Sequence, residues 1–135
     1  MLPKRKVIAI STADPLRFEL FRLTLKAYEV VPIASETGVD PNVARTTTPD
    51  LLIVDLSGFG IQLAEAFRTT MPTLPLLFIH RPLRRLQRPE SLMTGRVGFI
   101  ETPAFPAVLA DRVCELIGPP SASDDEAFCS GAHLG

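Results

Sequence analysis

Five short runs of apolar residues recur along the chain, and polar segments separate them. Runs this short, bounded by turn-forming residues, predict strands that are buried on both faces, as in parallel sheets. The predicted strands span residues 6–10, 29–34, 51–55, 74–79 and 97–100. The second strand contains Pro32, which cannot donate a hydrogen bond to a neighbouring strand, so we expect it at an edge of the sheet.

Helical periodicity occupies the segments between these strands. Asp14 followed by Pro15 predicts a helix start, because aspartate caps the first turn and proline suits the first helical position. An apolar stripe at helical spacing predicts the buried face of this helix, and Phe18 lies off that stripe. The stripe consists of Leu16, Leu20, Leu23 and Ala27, with Phe21 and Leu25 beside it. Further helices are predicted after residue 40, over 60–70, within 81–96 and over 106–117.

Strands that alternate with helices and are joined by short loops indicate the α/β class. With the second strand at an edge, we predict a flavodoxin-like, doubly wound five-stranded parallel sheet in the order 2-1-3-4-5, with helices on both faces. Residues 1–118 should form one domain. Gly118-Pro119-Pro120 stops the last helix, and residues 119–135 are acidic and lack periodicity, which predicts a disordered tail or the stub of a linker.

Composition narrows the function classes. The net charge of −1 gives the chain no general attraction to nucleic acid or membrane surfaces, and no apolar run approaches the roughly 20 residues that span a bilayer. Cys114 and Cys129 lack the paired spacing of a zinc site or a disulfide framework, which suits a reducing cytoplasm. We therefore expect a cytoplasmic domain that binds neither nucleic acid nor membrane directly.

The candidate chemistry lies at the end of the third predicted strand, where four apolar residues lead to Asp55. Ligands of α/β sheets collect beyond the carboxyl ends of the strands, so Asp55 is a candidate reactive carboxylate. Aspartate is also a common turn and capping residue, and the residues alone leave both interpretations open.

From about residue 5 to 118, the sequence resembles the receiver domain of bacterial two-component response regulators, the CheY-like family. Four segments support the resemblance: residues 49–55 (Pro-Asp-Leu-Leu-Ile-Val-Asp), Asp14-Pro15, residues 95–99 (Gly-Arg-Val-Gly-Phe) and residues 102–105 (Thr-Pro-Ala-Phe). The resemblance implies that Asp55 is the phospho-acceptor candidate and that Thr12, Ala13, Asp14, Ser57, His80 and Thr102 stand at pocket positions.

The same resemblance shows which groups are missing. The family's Mg²⁺-holding acidic pair is replaced by Thr12 and Ala13, its hydroxyl residue after the fourth strand by His80, and its lysine by Thr102. Asp55, with the Ser57 carbonyl, would be a weak Mg²⁺ site, so we expect no cofactor or at most weak Mg²⁺ binding. The compensating positive charge would come from His80 or Arg81.

The leading hypothesis is a non-enzymatic pseudo-receiver, a protein-interaction module in bacterial signal transduction without ordinary aspartyl phosphorylation. The first alternative is a phospho-accepting receiver that uses Asp55 with a non-standard site. A small flavodoxin-like enzyme or nucleotide binder is a third possibility, but the glycine-rich phosphate-binding motifs are absent from the sequence.

The expected partner is a histidine kinase, an output domain, another signalling protein or a second copy of the chain. The resemblance places the contact on the face made by the family's fourth helix, fifth strand and fifth helix. Here that face would include Arg84, Arg85, Arg88 and Phe99. Arginine clusters suit acidic surfaces and phosphates, although a solvated basic face and a core role for Phe99 remain open.

Overall fold

The computed structural model describes residues 6–12, 14–33, 48–55, 60–80, 92–102 and 105–118. The strands are β1 (Val7–Ser11), β2 (Glu29–Pro32), β3 (Leu51–Asp55), β4 (Leu76–His80) and β5 (Val97–Glu101). The helices are α1 (Pro15–Thr24), α2 (Gly60–Thr70) and α3 (Phe105–Ile117). The predicted helix after residue 40, most of the segment 81–96 and the predicted tail lie outside the described residues.

The strands that the structure describes form one parallel sheet in the order β2-β1-β3-β4-β5. This arrangement confirms the predicted flavodoxin-like topology. β2 lies at an edge of the sheet, as its proline predicted. Central β3 is buried along its whole length, which explains why its sequence is a continuous apolar run.

Helices cover both faces of the sheet, and each face has its own apolar core. α1 and α3 pack on the face that receives Leu51 and Ile53 of β3, together with Phe21 and Leu109 from the helices. α2 packs on the other face, which receives Leu52, Val54, Phe67 and Phe78 among others. Each such side chain contributes roughly 1.5–3 kcal/mol by leaving water.

The buried face of α1 differs from the predicted one. Phe21 and Leu25 are fully buried and Phe18 packs against them, whereas Leu16, Leu20 and Leu23 are 81%, 37% and 60% exposed. The helix has apolar residues on two opposite sides, so periodicity could not select the inner one. The side with two phenylalanines faces the sheet because it removes more apolar surface from water.

Three side chains, each from the residue just before a strand (β1, β2 or β5), hold the carboxyl end of α3. Lys6 Nζ donates to the Ile117 carbonyl (2.6 Å), Arg96 Nη1 to that of Leu116 (3.0 Å), and the Tyr28 hydroxyl to that of Gly118 (3.0 Å). Cations are favourable at this negative end of the helix dipole. Burial raises the pKa of the Tyr28 phenol well above its ordinary value.

Cys114 lies on α3, and the expectation that the cysteines are reduced stays a prediction. The other cysteine of the chain lies outside the described residues. Among the helices that the structure describes, none has the length and apolar composition needed to cross a bilayer.

Candidate functional site

The parallel register brings the carboxyl ends of four strands, β1, β3, β4 and β5, to the same end of the sheet, which we call the carboxyl edge. Ser11 of β1 pairs with Val54, Asp55 of β3 with Ile79, and His80 of β4 with Glu101. The structure thereby brings the predicted pocket residues Thr12, Asp55, His80 and Thr102 to the same edge. Asp14 lies just beyond it, at the start of α1.

The Asp55 carboxylate is occupied by two donors from the β1–α1 segment. The Thr12 hydroxyl donates to Asp55 Oδ2 over 3.1 Å. Arg17 Nη1 of α1 donates to the same oxygen and forms an ion pair with it. The Asp55 residue is only 8% exposed, and the Arg17 side chain is 19% exposed. The carboxylate is therefore neutralised within the chain, in a place that water reaches poorly.

The helix cap brings Arg17 to this position. Asp14 Oδ1 accepts hydrogen bonds from the backbone amides of Leu16 (3.0 Å) and Arg17 (3.4 Å), as an N-cap residue does. Thr12 Oγ1 accepts the amide of Asp14 (3.2 Å), so one hydroxyl joins the cap to Asp55. These contacts fix the start of α1, and the side chain of Arg17 in its first turn reaches Asp55 at the end of β3.

Gly60 lets the first turn of α2 approach the same strand end. A Cβ atom on Gly60 would lie 2.5 Å from the backbone oxygen of Asp55 and 2.5 Å from Cγ1 of Val54. Real Cβ atoms do not approach backbone this closely, so only glycine fits without a shift of the chain. The backbone around Asp55 is therefore enclosed by α1 on one face of the sheet and by α2 on the other.

His80, at the end of β4, and Thr102, directly after β5, form the other half of the carboxyl edge. The Thr102 amide donates to the His80 carbonyl (2.8 Å) and extends the pairing of β4 with β5. The His80 ring meets the Phe99 ring edge-on at 6.2 Å, and Phe99 in turn stacks on Phe78 at 5.3 Å. Phe99 is half-buried and packs against the core, which fits a packing role; a switching role stays a prediction.

Arg17 was missed by sequence reasoning, which looked for the positive charge at His80 or Arg81. A possible sign was its position three residues after the N-cap, in a turn expected at the carboxyl edge of the sheet. Other predicted site residues lie outside the described part of the chain. They are Ala13, Ser57, Arg81, Arg84, Arg85 and Arg88.

The arrangement offers a metal ion few ligands. In the ranges that the structure describes, no three His, Cys, Asp or Glu side chains lie close enough together to hold one. One of the two Asp55 carboxylate oxygens, Oδ2, already accepts from a guanidinium and a hydroxyl. The Asp14 carboxylate is used as a helix cap.

By sequence, neither the known family models nor the curated proteins give a match to this chain. Solved structures are similar to it in fold. A response regulator receiver domain protein from Clostridium thermocellum superposes with a TM-score of 0.68 at 14% identity, covering 83% of this chain and 94% of the other. The N-terminal domain of a response regulator/sensory box/GGDEF protein from Carboxydothermus hydrogenoformans gives 0.66 at 20% identity, with 83% and 94% covered.

A response regulator receiver protein from Sinorhizobium medicae gives a TM-score of 0.64 at 17% identity, with 86% of this chain and 97% of the other covered. At identities this low, structural similarity is evidence for the fold alone. The shared strand order and the near-complete coverage identify this fold. The chain therefore has the fold of the response regulator receiver domains.

Proposed function

We propose that this chain is a pseudo-receiver: a signalling domain of receiver fold that binds a partner protein and neither catalyses a reaction nor undergoes ordinary Mg²⁺-dependent aspartyl phosphorylation. The observation that supports this proposal is the internal ion pair between Arg17 and Asp55.

Phosphorylation of an aspartate requires one carboxylate oxygen to attack phosphorus while the bond to the leaving group breaks. The attacking oxygen must be accessible, and the charge on the incoming phosphoryl group must be neutralised. Here Asp55 is nearly buried, and one of its oxygens accepts from both Arg17 and Thr12. An attack by that oxygen would first have to break the ion pair inside a poorly hydrated site, which raises its free-energy cost.

The residues around Asp55 do not fit Mg²⁺. This ion loses its water reluctantly and is usually held through one or two carboxylates together with substrate phosphates. Among the described residues no group of three potential metal ligands forms around Asp55, and Thr12 directs its proton to that carboxylate. An approaching divalent cation would also be repelled by the Arg17 guanidinium.

The positive charge beside Asp55 comes from Arg17 of the same chain. We therefore infer that this site does not act as a switch. In the structure, Arg17 joins α1 to the end of β3 without a metal or a phosphoryl donor. We infer that the domain presents one constant surface to its partner in signal transduction, be it a kinase, an output domain or another signalling protein. The partner's identity then depends on surface residues and not on the state of Asp55.

The test is a titration of the ¹⁵N-labelled protein with Mg²⁺ and then with beryllofluoride, both at millimolar concentration, followed by amide chemical shifts. We expect no saturable shift around Asp55 in the natural sequence. Asp55→Asn is the control for non-specific salt effects.

A second variant, Thr12→Asp with Arg17→Ala, shows that the assay can detect binding. It introduces a second carboxylate and removes the competing cation, so Mg²⁺ should produce saturable shifts near Asp55. Because Asp55 does end β3 at the carboxyl edge, the competing function is a phospho-accepting receiver with a non-standard site. Saturable shifts in the natural sequence that disappear in Asp55→Asn would establish that alternative and overturn the pseudo-receiver.

A further inference from the structure

The outer side of α1 has a continuous apolar stripe formed by Leu16, Leu20 and Leu23, which we call the leucine stripe. These residues are spaced by four and three positions, so they lie in one row along the helix. The row points away from the buried residues Phe21 and Leu25. Single exposed leucines are ordinary, but three in one row, one of them 81% exposed, form a patch of the kind used in association.

One flank of the leucine stripe is charged but balanced. Arg22 forms an ion pair with Glu19, with 2.6 Å between Nη2 and Oε2, and its Nε lies 3.2 Å from both carboxylate oxygens. Both side chains are about half exposed. A flank that holds one charge of each sign gives no general attraction to a strongly acidic or basic partner, but it can be complementary to itself.

We propose that the leucine stripe binds a second copy of the same chain, with the two α1 helices packed antiparallel about a two-fold axis. The midpoint of the stripe lies between residues 19 and 20. A two-fold axis at this midpoint places Leu16 of each copy opposite Leu23 of the other. The two Leu20 side chains then meet beside the axis, and the interface is isologous.

The charged flank favours the antiparallel arrangement. In an antiparallel pair, the flank that carries Glu19 and Arg22 lies on the same side of the interface in both copies. Glu19 of one copy is then displaced from Arg22 of the other by two residues, or about 3 Å along the axis at 1.5 Å per residue. Each Glu19 can therefore bind Arg22 of the other copy. A parallel pair would instead place this flank against the side of Arg17, where α1 has no carboxylate.

The size of the patch sets the expected strength. Three leucines expose a few hundred Å² per copy, less than the roughly 800 Å² per partner of a standard interface. We therefore expect a weak dimer, with a dissociation constant on the order of 100 µM. This association uses a different surface from the predicted arginine-rich face and does not depend on the state of Asp55.

Sedimentation equilibrium of the full chain, from about 10 µM to about 1 mM, tests the proposal. Leu20→Glu places two carboxylates beside the axis and should weaken the dimer at least tenfold. Because Leu20 lies on the outer side of α1, the variant should keep its fold, which circular dichroism checks. Gln62→Glu is the matched control: it adds the same charge to an exposed position of α2, on the other face of the sheet, and should leave the dimer unchanged.

A charge exchange tests the orientation. Glu19→Arg alone should weaken the dimer, and the double variant Glu19→Arg with Arg22→Glu should restore it. A protein that stays monomeric over the whole range overturns the proposal, even if a different protein binds the stripe. A dimer that Leu20→Glu does not weaken overturns it as well, and a failed restoration overturns the antiparallel arrangement.

Discussion

Replacing Arg17 with alanine should destabilise the fold, because it leaves the nearly buried Asp55 carboxylate with only the Thr12 hydroxyl among the donors described above. Two unit charges about 4 Å apart attract by about 4 kcal/mol at an effective dielectric constant of 20. Loss of hydration offsets part of this attraction, although the two side chains keep 19% and 10% of their exposure. We expect a net coupling energy of about 2 kcal/mol.

A double-mutant cycle measures this coupling from the free energies of unfolding of Arg17→Ala, Asp55→Asn and the double variant. Arg17→Ala should cost about 2–3 kcal/mol, since an unpaired buried charge is costly. Asp55→Asn should cost less, about 1 kcal/mol, because the amide can still accept hydrogen bonds and the guanidinium can turn toward water. Urea unfolding followed by far-ultraviolet circular dichroism gives each value, provided that the m-value is unchanged.

The exposed pair between Arg112 and Glu115 is the matched control, with 40% and 56% exposed side chains. Its coupling should be much smaller and should vanish in high salt, whereas that of Arg17 and Asp55 should persist, since salt screens partly buried charges less. A coupling below about 0.5 kcal/mol, or an Arg17→Ala variant more stable than the natural protein, would show that the ion pair does not hold α1 to β3.

Two further variants test the packing around the site and the anchor of α3. Gly60→Ala should lower the free energy of unfolding, measured with urea, by about 1–3 kcal/mol because the new methyl group meets the Asp55 backbone. In Gly98→Ala the methyl group meets the end of a leucine side chain at 3.1 Å, so the loss should be smaller. An equal loss would contradict the argument. Tyr28 is the single tyrosine of a chain without tryptophan, so its ionisation can be followed by ultraviolet absorbance. Because burial raises its pKa in the folded state, the protein should lose stability as the pH rises above about 10, the ordinary pKa of tyrosine, and Tyr28→Phe should lose this part of the decline. Ionisation of native Tyr28 at about pH 10 would refute the reasoning.

The strands could be predicted because burial on both faces makes nearly every residue of a run apolar, as in β3. Pro32 indicated that β2 lies at an edge, and this position fitted the flavodoxin-like order 2-1-3-4-5. The position of Asp55 at the carboxyl edge followed from the same pattern. Each of these features depends on residues that are close together in the sequence.

The rotation of α1 and the partner of Asp55 depend on residues that are far apart. α1 has apolar residues on two opposite sides, and only contact with the sheet decides which side is buried. Arg17 and Asp55 are separated by 38 positions, and they meet only when α1 packs beside the end of β3. The clash that requires Gly60 likewise arises only when α2 packs on the end of β3.

The sequence by itself determined the strand positions, their parallel order and the carboxyl edge at which the polar residues lie. A strand that is buried on both faces is recognisable because nearly all of its residues are apolar. The tertiary structure decided that Asp55 is neutralised by Arg17 and that three leucines face outward. Both outcomes depend on the packing of whole helices against the sheet. Because α1 has two apolar sides, either could pack on the sheet, and local composition does not show which of them does.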